Sequence, residues 1–380
     1  MKFAHLSDLH LGKRLHEFSL AEDQEHILKE IVRVVESENV DAVLIAGDLY
    51  DKAVPSAEAV TLCDRFLSDL ARTGREILII SGNHDSAERL AFGRDLMKKG
   101  GVRVAGVYDG TVESAVFHDE HGDLTVWMLP FLRPAHVRRF FPEADTGSCS
   151  AALKTALDAA EIDFSRRNVL MTHQFVTGST RSDSEDISVG GTDSVDADVF
   201  GGFDYVALGH LHHPQRVTAD TIRYCGSPLK YSFSEANSEK SVTIVELGEK
   251  GDVSVDAVPL RPLRDLREIR GSYDEVTAKS FYDGTATGDY LRITLTDEED
   301  IPDAVRRLRV IYPRLTRLDY DNARTRAWGQ PAATPTEEPR ALSPIDLFGA
   351  FYEAQNGTAL SAEQRAFAEA LIKSITEERP

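Results

Sequence analysis

Over the first 85 residues, short apolar runs alternate with amphipathic stretches. Residues 3–6 read as a strand. Residues 21–37 place Ile27, Ile31, Val34 and Val35 on one helical stripe. Residues 41–46 are apolar after Asp41, as in a buried strand. A helix is expected from Pro55-Ser56 to about Arg72, with Val60, Leu62, Cys63, Phe66, Leu67 and Leu70 inward and Gly74 as its stop. Residues 77–80 are strand again. This βαβαβ order implies a mainly parallel sheet with right-handed crossovers.

The pattern then shortens. Strands are expected at 102–105, 111–118, 124–129, 169–171, 205–208, 221–225, 241–247 and 252–259, with a helix at 149–161. Residues 177–198 are polar and rich in Ser, Asp, Gly and Thr, a long loop of the kind more often functional than idle. Residues 1–262 therefore read as one α/β domain, a two-sheet α/β sandwich. After Pro262 the pattern restarts. Residues 263–322 form a small α+β accessory domain, with strands at 266–270, 290–295 and 315–318 and helices near 272–279 and 301–310. Residues 323–342 carry Pro331, Pro335 and Pro339 and read as a linker. Residues 343–380 hold two amphipathic helices, about 343–355 and 361–376. Ser343-Pro344 supplies an N-cap and a proline at the first helical position, and Ser361 with Gln364 forms a capping box.

Composition narrows the class. A chain of 380 residues can bury one large core plus smaller modules. No apolar run reaches the roughly 18 residues of a membrane span. The N-terminus lacks the apolar segment of a signal peptide, so the cytoplasm is the expected location. Cys63, Cys149 and Cys225 are too few and too scattered for a disulfide framework or a zinc ribbon. The net charge of -20 argues against attraction of nucleic acid by bulk charge.

Chemistry concentrates at the strand ends. Asp8-x-His10, Gly47-Asp48-x-x-Asp51, Gly82-Asn83-His84-Asp85, His173 and Gly209-His210-x-His212 each follow an expected strand. Open α/β sheets present ligands at that edge. One such cluster is commonplace, since a lone Asp caps a turn and a lone His is a structural residue. Five in this order point to a metal centre. Extended segments direct residues i and i+2 the same way, so Asp8 with His10, and His210 with His212, are expected to face one ion each, and His213 to face away. Carboxylates, imidazoles and a carboxamide without thiolate suit Mn²⁺ or Fe²⁺, with zinc possible. Asp48 can bridge two ions, and such a pair clamps a phosphoryl group and activates water.

These clusters resemble the calcineurin-like metallophosphoesterases. Ser-Asp-x-His-Leu-Gly at 7–12, Gly-Asn-His-Asp at 82–85, Phe-Leu-Arg-Pro at 131–134 and Tyr-Cys-Gly-Ser-Pro at 224–228 resemble the SbcD nuclease subunits, bacterial counterparts of the Mre double-strand-break nucleases. The resemblance covers nearly the whole chain. It implies a metal-dependent DNA nuclease, an exonuclease on duplex ends and an endonuclease on single strands and hairpins. It implies that Asp8, His10, Asp48 and His212 hold one metal, most expectedly Mn²⁺. Asp48, Asn83, His173 and His210 would hold the second, and His84 would serve the scissile phosphate and leaving oxygen. It also implies a partner, an SMC-like ATPase of the SbcC type, docked on the C-terminal helices, and a homodimer within a heterotetramer. Relatives dimerise through helices of the catalytic domain; the candidates here are the helix at 55–72 and the segment 86–99, although neither shows a clear exposed apolar face in sequence. No Gly-x-x-x-x-Gly-Lys-[Ser/Thr] loop occurs, so any ATP hydrolysis belongs to that partner. Acidity counts less against a subunit whose DNA contacts come partly from metals and a partner.

Some positions stay open. Asp85 either orients His84 or caps its turn. Asp51 stands where archaeal and eukaryotic relatives have a histidine; it either caps a turn or steadies a metal ligand or water. His5 reads as core or as support for the site. Lys13-Arg14, and Arg133, Arg138 and Arg139 beside Phe140-Phe141, are candidate phosphate contacts. The alternative functions are a stand-alone metallophosphatase or small-molecule phosphodiesterase on the same site, and a scaffold with a dead site.

Overall fold

The computed structural model describes residues 1–185, 194–328 and 343–377. Its contacts divide it into two compact units, Met1–Leu266 and Arg267–Pro380. The first unit has strands β1 (Lys2–Leu6), β2 (Ala42–Ala46), β3 (Glu76–Ile80), β4 (Val102–Ala105), β5 (Glu113–Asp119), β6 (Gly122–Leu129), β7 (Arg167–His173), β8 (Tyr205–Gly209), β9 (Gln215–Arg216), β10 (Ile222–Tyr224), β11 (Ser241–Leu247) and β12 (Val253–Pro259). They form two six-stranded sheets, ordered β12-β11-β1-β2-β3-β4 and β9-β10-β8-β7-β6-β5. β1 to β4 run parallel, as do β6, β7, β8 and β10. The functional strand ends of each sheet therefore lie at one edge.

Periodicity explains the stacking. Ala42, Leu44 and Ala46 of β2, with Leu78 and Ile80 of β3, share one buried cluster with Val126, Met128, Val169, Met171 and Ala207 of the second sheet. These are alternate residues, one face of each strand. β2 is buried along its whole length, so it lacks the polar alternation of a surface strand. Each fully buried Leu or Ile here contributes about 1.5–3 kcal/mol, and Leu44→Ala would cost about 2–5 kcal/mol. The far face of the second sheet, with Leu170, Val206 and Leu208, packs on Leu153, Ala156 and Leu157 of helix α3 (Cys149–Asp158). Helices α1 (Ala21–Ser37) and α2 (Ala57–Arg72) bury Ile27, Leu28, Ile31 and Val35, and Leu62, Cys63, Phe66 and Leu70. Ser56 caps α2 by accepting from the amide of Ala59.

Several expectations need correction. Val60 points outward, because Ala59 occupies the inward position of that turn. Residues 86–100 break into the short helices Ala87–Leu90, Arg94–Met97 and Lys98–Gly100, leaving Phe92 84% and Leu96 74% exposed. The expected linker begins with a helix, Ala323–Trp328, which Asn322 caps by accepting from the amide of Thr325 at 3.0 Å. Pro331, Pro335 and Pro339 lie outside the described residues. The second unit holds a three-stranded sheet of Leu266–Gly271, Tyr290–Leu295 and Leu315–Tyr320, with Leu291, Ile293 and Leu295 at its core. Its C-terminal helices are α4 (Pro344–Asn356) and α5 (Ala362–Glu377). They keep Leu347, Phe348, Phe351 and Phe367 exposed.

Candidate metal centre

Where β1 and β2 end, their loops stay stitched together. The amides of Asp8, His10 and Leu11 donate to the carbonyls of Gly47, Asp48 and Leu49, each at 3.0 Å. The backbone is not extended there. Asp8, His10, Asp48 and His210 have φ of 54°, 44°, 52° and 108°. Such conformations are uncommon outside glycine and persist where the surroundings enforce them. The i, i+2 argument from extended backbone therefore fails. Asp8 and His10 still share a cluster, but His210 and His212 go to different partners.

Two glycines make the convergence possible. Gly47 has φ 89°, and a Cβ on it would lie 2.4 Å from Nδ1 of His173. Gly209 is paired in register with His173 across β8 and β7, and a Cβ there would lie 1.9 Å from the carbonyl oxygen of Ala46. The two sheets thus touch through backbone at the edge where the functional side chains emerge.

Those side chains fall into two overlapping groups around Asp48. On one side, Nε2 of His10 lies 3.0 Å from Nε2 of His212, 3.9 Å from Oδ1 of Asp8 and 3.7 Å from Oδ2 of Asp48. On the other, Nε2 of His173 lies 3.3 Å from Oδ2 of Asp48 and 3.0 Å from Oδ1 of Asn83, which is 2.9 Å from Nδ1 of His210. Asp8-His10-His212, His10-Asp48-His84 and Asp8-Asp48-His173 each present ligand atoms within 4.8 Å of one another. Asp8, His10, Asp48, His173 and His212 are all buried.

Burial shapes the charges. It pushes His10 well below its ordinary value and His210 down to about 3, so both are neutral near pH 7. It would also lower His173 and raise Asp48, but their mutual attraction wins, lifting His173 to about 9 and holding Asp48 below the usual carboxylate range. Burial raises Asp8, against the pull of His173 and His212. Buried nitrogen and oxygen lone pairs thus face one another with few protons between them, a donor set that fits divalent cations.

The remaining candidates separate. Nδ1 of His84 donates to the carbonyl of Asp51 at 3.0 Å, and its Nε2 lies 4.0 Å from Oδ2 of Asp48. Of the two readings of Asp85, the structure shows the capping one. Its carboxylate accepts from the amides of Leu49, Tyr50 and Gly82, pinning the two loops, and burial followed by the Asp48 charge pushes it up to about 6. Asp51 accepts from Nζ of Lys13 at 2.8 Å and lies 3.7 Å from Nδ1 of His10. Lys13 is thereby committed to an acid and to the face of Tyr231. Arg14 bonds the carbonyl of Glu17 in a small hairpin. His5 is core, meeting the Tyr205 hydroxyl at 2.9 Å, and burial drives it down to about 3. Arg138 turns inward to Thr146, leaving Arg133 and Arg139 as the basic pair.

Sequence reasoning missed the supports. Gln24 donates to the carbonyl of His10 at 2.7 Å, and Ser7 donates to Asp8 at 2.5 Å. The Tyr231 hydroxyl donates to the carbonyl of Leu9 at 2.5 Å. Ser184, Glu185, Glu235 and Lys240 surround His212. For Ser184 and Glu185 the only signal was the long polar loop at 177–198, part of which, 186–193, lies outside the described residues, and Glu235 and Lys240 gave none.

Residues 1–214 match the family model of the calcineurin-like phosphoesterases, and residues 262–356 match that of the type 5 capsule protein repressor C-terminal domain. The SbcD chain of the SbcCD nuclease from Staphylococcus epidermidis is 34% identical over 322 residues, covering 84% of this chain and 85% of that protein. Solved structures that match include a protein of Thermus thermophilus, with 13% identity, a TM-score of 0.39 and coverage of 67% of this chain and 98% of the other. A dimetal phosphatase from Danio rerio matches with 11% identity, a TM-score of 0.41 and coverage of 69% and 98%. On the family model and the Staphylococcus relative, this chain belongs to the calcineurin-like phosphoesterases, in the branch of the SbcD nuclease subunits.

Proposed function

We propose that this chain is the nuclease subunit of a two-component DNA-processing enzyme in repair and recombination, hydrolysing phosphodiester bonds with two Mn²⁺ ions. The observation that carries this reading is the pair of donor groups sharing Asp48, with His84 at their rim. Asp8, His10, Asp48 and His212 would hold one ion, and Asp48, Asn83, His173 and His210 the other. The ions supply charge against the phosphate and an activated water. His84 faces the bound phosphodiester with Nε2, because Nδ1–H is spent on the carbonyl of Asp51. With a second proton on Nε2, the ring would steady the phosphate and pass that Nε2 proton to the leaving oxygen, keeping its Nδ1–H on the Asp51 carbonyl.

A cleft of about 370 Å³ opens beside Asn83, lined by Phe131, Arg133, Tyr108, Arg139 and Phe140. The Arg133 and Arg139 guanidinium groups each lie 5.6 Å from a phenyl ring, over Phe131 and Phe140. Cations braced on aromatic faces suit a DNA strand, offering charge to phosphates and flat surfaces to bases. The exposed apolar faces of α4 and α5 suit helix-in-groove docking on an SMC-like ATPase, which would supply the ATP hydrolysis. Phe92 and Leu96 suit a contact with a second copy, as in a heterotetramer of two nuclease and two ATPase subunits. The cytoplasm, where the chromosome lies, is the matching location, and no helix among the described residues is long and apolar enough to cross a membrane.

The test is cleavage of a hairpin-ended duplex by the purified chain with Mn²⁺, with and without the ATPase, beside p-nitrophenyl phosphate. DNA cleavage that depends on Mn²⁺ supports the reading. Turnover of p-nitrophenyl phosphate alone would favour a simple phosphatase.

A further inference from the structure

His212 is gripped at three points by residues distant in sequence. Its amide donates to Oε1 of Glu185 at 2.6 Å, and its carbonyl accepts from Nζ of Lys240 at 2.8 Å. Its ring Nδ1 lies 2.6 Å from Oγ of Ser184, and Ser184 donates to Oε1 of Glu235 at 2.7 Å. Glu235 is fully buried and salt-bridged to Lys240 at 2.6 Å.

The chemistry fixes the direction of every hydrogen. A carboxylate paired with an ammonium only accepts. Ser184 has one hydroxyl hydrogen and also meets Oγ of Ser182 at 2.8 Å, but a carboxylate oxygen 2.7 Å away would repel a bare hydroxyl oxygen, so the hydrogen goes to Glu235. Its oxygen then accepts from the ring, so Nδ1 of His212 carries the proton. Nε2 is left with a lone pair facing His10 and Asp8. His173 and His84 are also anchored at Nδ1, but by backbone carbonyls, those of Ala46 at 2.8 Å and Asp51 at 3.0 Å. His212 instead depends on side chains, which substitution can remove.

We infer that Ser184, backed by Glu235 and Lys240, is a positioning residue that locks His212 in the Nδ1–H tautomer with Nε2 aimed at a metal. This rests on the metal-centre reading above. Ser184 comes from the polar loop, so that loop helps build the centre. An imidazole oriented in this way is a better ligand, and losing such a partner typically lowers metal affinity about 10–100-fold.

The test uses the full chain with Ser184→Ala and Ser184→Thr. Mn²⁺ binding is followed by calorimetry, thermal unfolding is recorded without metal, and the His212 tautomer is read from nitrogen-15 NMR. In S184A one of the two Mn²⁺ sites, the one that includes His212, should lose about 10–100-fold in affinity while the other stays within about threefold. The metal-free melting midpoint should hold, the Nδ1–H signature of His212 should fade, and S184T should restore both binding and signature. Unchanged affinities in S184A, or equal losses at both sites with a lowered midpoint, would overturn the proposal. Wild-type protein that binds no Mn²⁺ would overturn the metal reading separately, and an Nε2–H tautomer of His212 would then still refute the lock.

Discussion

The two halves of the centre are held by different means. Around His173 the support is main chain: Nδ1 bonds the carbonyl of Ala46, and Gly47 and Gly209 let strands approach where any side chain would collide. Around His212 the support is side chain: Ser184, Glu185, Glu235 and Lys240 come from two segments of the chain. The first arrangement is inherited from the sandwich itself. The second is added by loops, and it can be weakened without unfolding the sheets. Asp48 joins the halves, touching His173 on one side and His10 on the other.

Substitutions can break that contrast. Asp48→Ala should have the largest effect, leaving DNA cleavage at background and abolishing Mn²⁺ binding in both halves; calorimetry showing one intact site would separate them. Gly209→Ala should strike the main-chain half. Its Cβ would lie 1.9 Å from the Ala46 carbonyl, so unfolding in urea should show a loss at or above the about 1–3 kcal/mol typical of overpacking. His84→Ala should remove cleavage while two ions still bind, since the residue sits at the rim of both halves.

A pH experiment sharpens the comparison further. Asp48 lifts His173 to about 9 in the metal-free protein, so this imidazole is protonated at pH 7, whereas burial keeps His10 neutral. A metal needs the neutral ring, so binding in the His173 half should expel a proton. Affinity there should rise with pH, by at most about tenfold per unit, until about 9, and then level off. Calorimetry in buffers of different ionisation enthalpy counts the proton; equal heats at pH 7 would contradict it. The smallest effect on the centre should come from Phe351→Ala on α4, which should leave Mn²⁺ binding unchanged while weakening ATPase association by more than about 1 kcal/mol.

Sequence reading reached the two halves unequally, and for the same reason. The ligand-type residues follow apolar strands, and a parallel sheet brings such ends to one edge, so Asp8, Asp48, Asn83, His173 and His210 were legible from local pattern. The supports of His212 were not, because Ser184 and Glu185 are ordinary polar residues in a polar loop and Glu235 lies in the short turn Phe233–Glu235. Their role depends on how loops fold over the edge. Asp85 looked like a partner of His84 from adjacency, yet backbone amides claimed both its oxygens. Arg138 looked like part of a basic patch, but the roughly 100° between consecutive helical residues turns it away from Arg139 toward Thr146. Left-handed backbone at Asp8, His10 and Asp48 is likewise invisible to alternation rules.

Asp51 marks the border between the halves and the surface. It pairs with Lys13, lies 3.7 Å from Nδ1 of His10 and lends its carbonyl to His84. It is therefore held by Lys13 rather than standing as a free loop carboxylate, and it makes no hydrogen bond to the buried Nδ1 of His10.

The most direct measurement is anomalous diffraction at the manganese edge from crystals grown with Mn²⁺. Two peaks flanking the carboxylate of Asp48 are predicted, one also against Asp8, His10 and His212, the other against Asn83, His173 and His210. A single peak, or peaks away from Asp48, would contradict the shared centre.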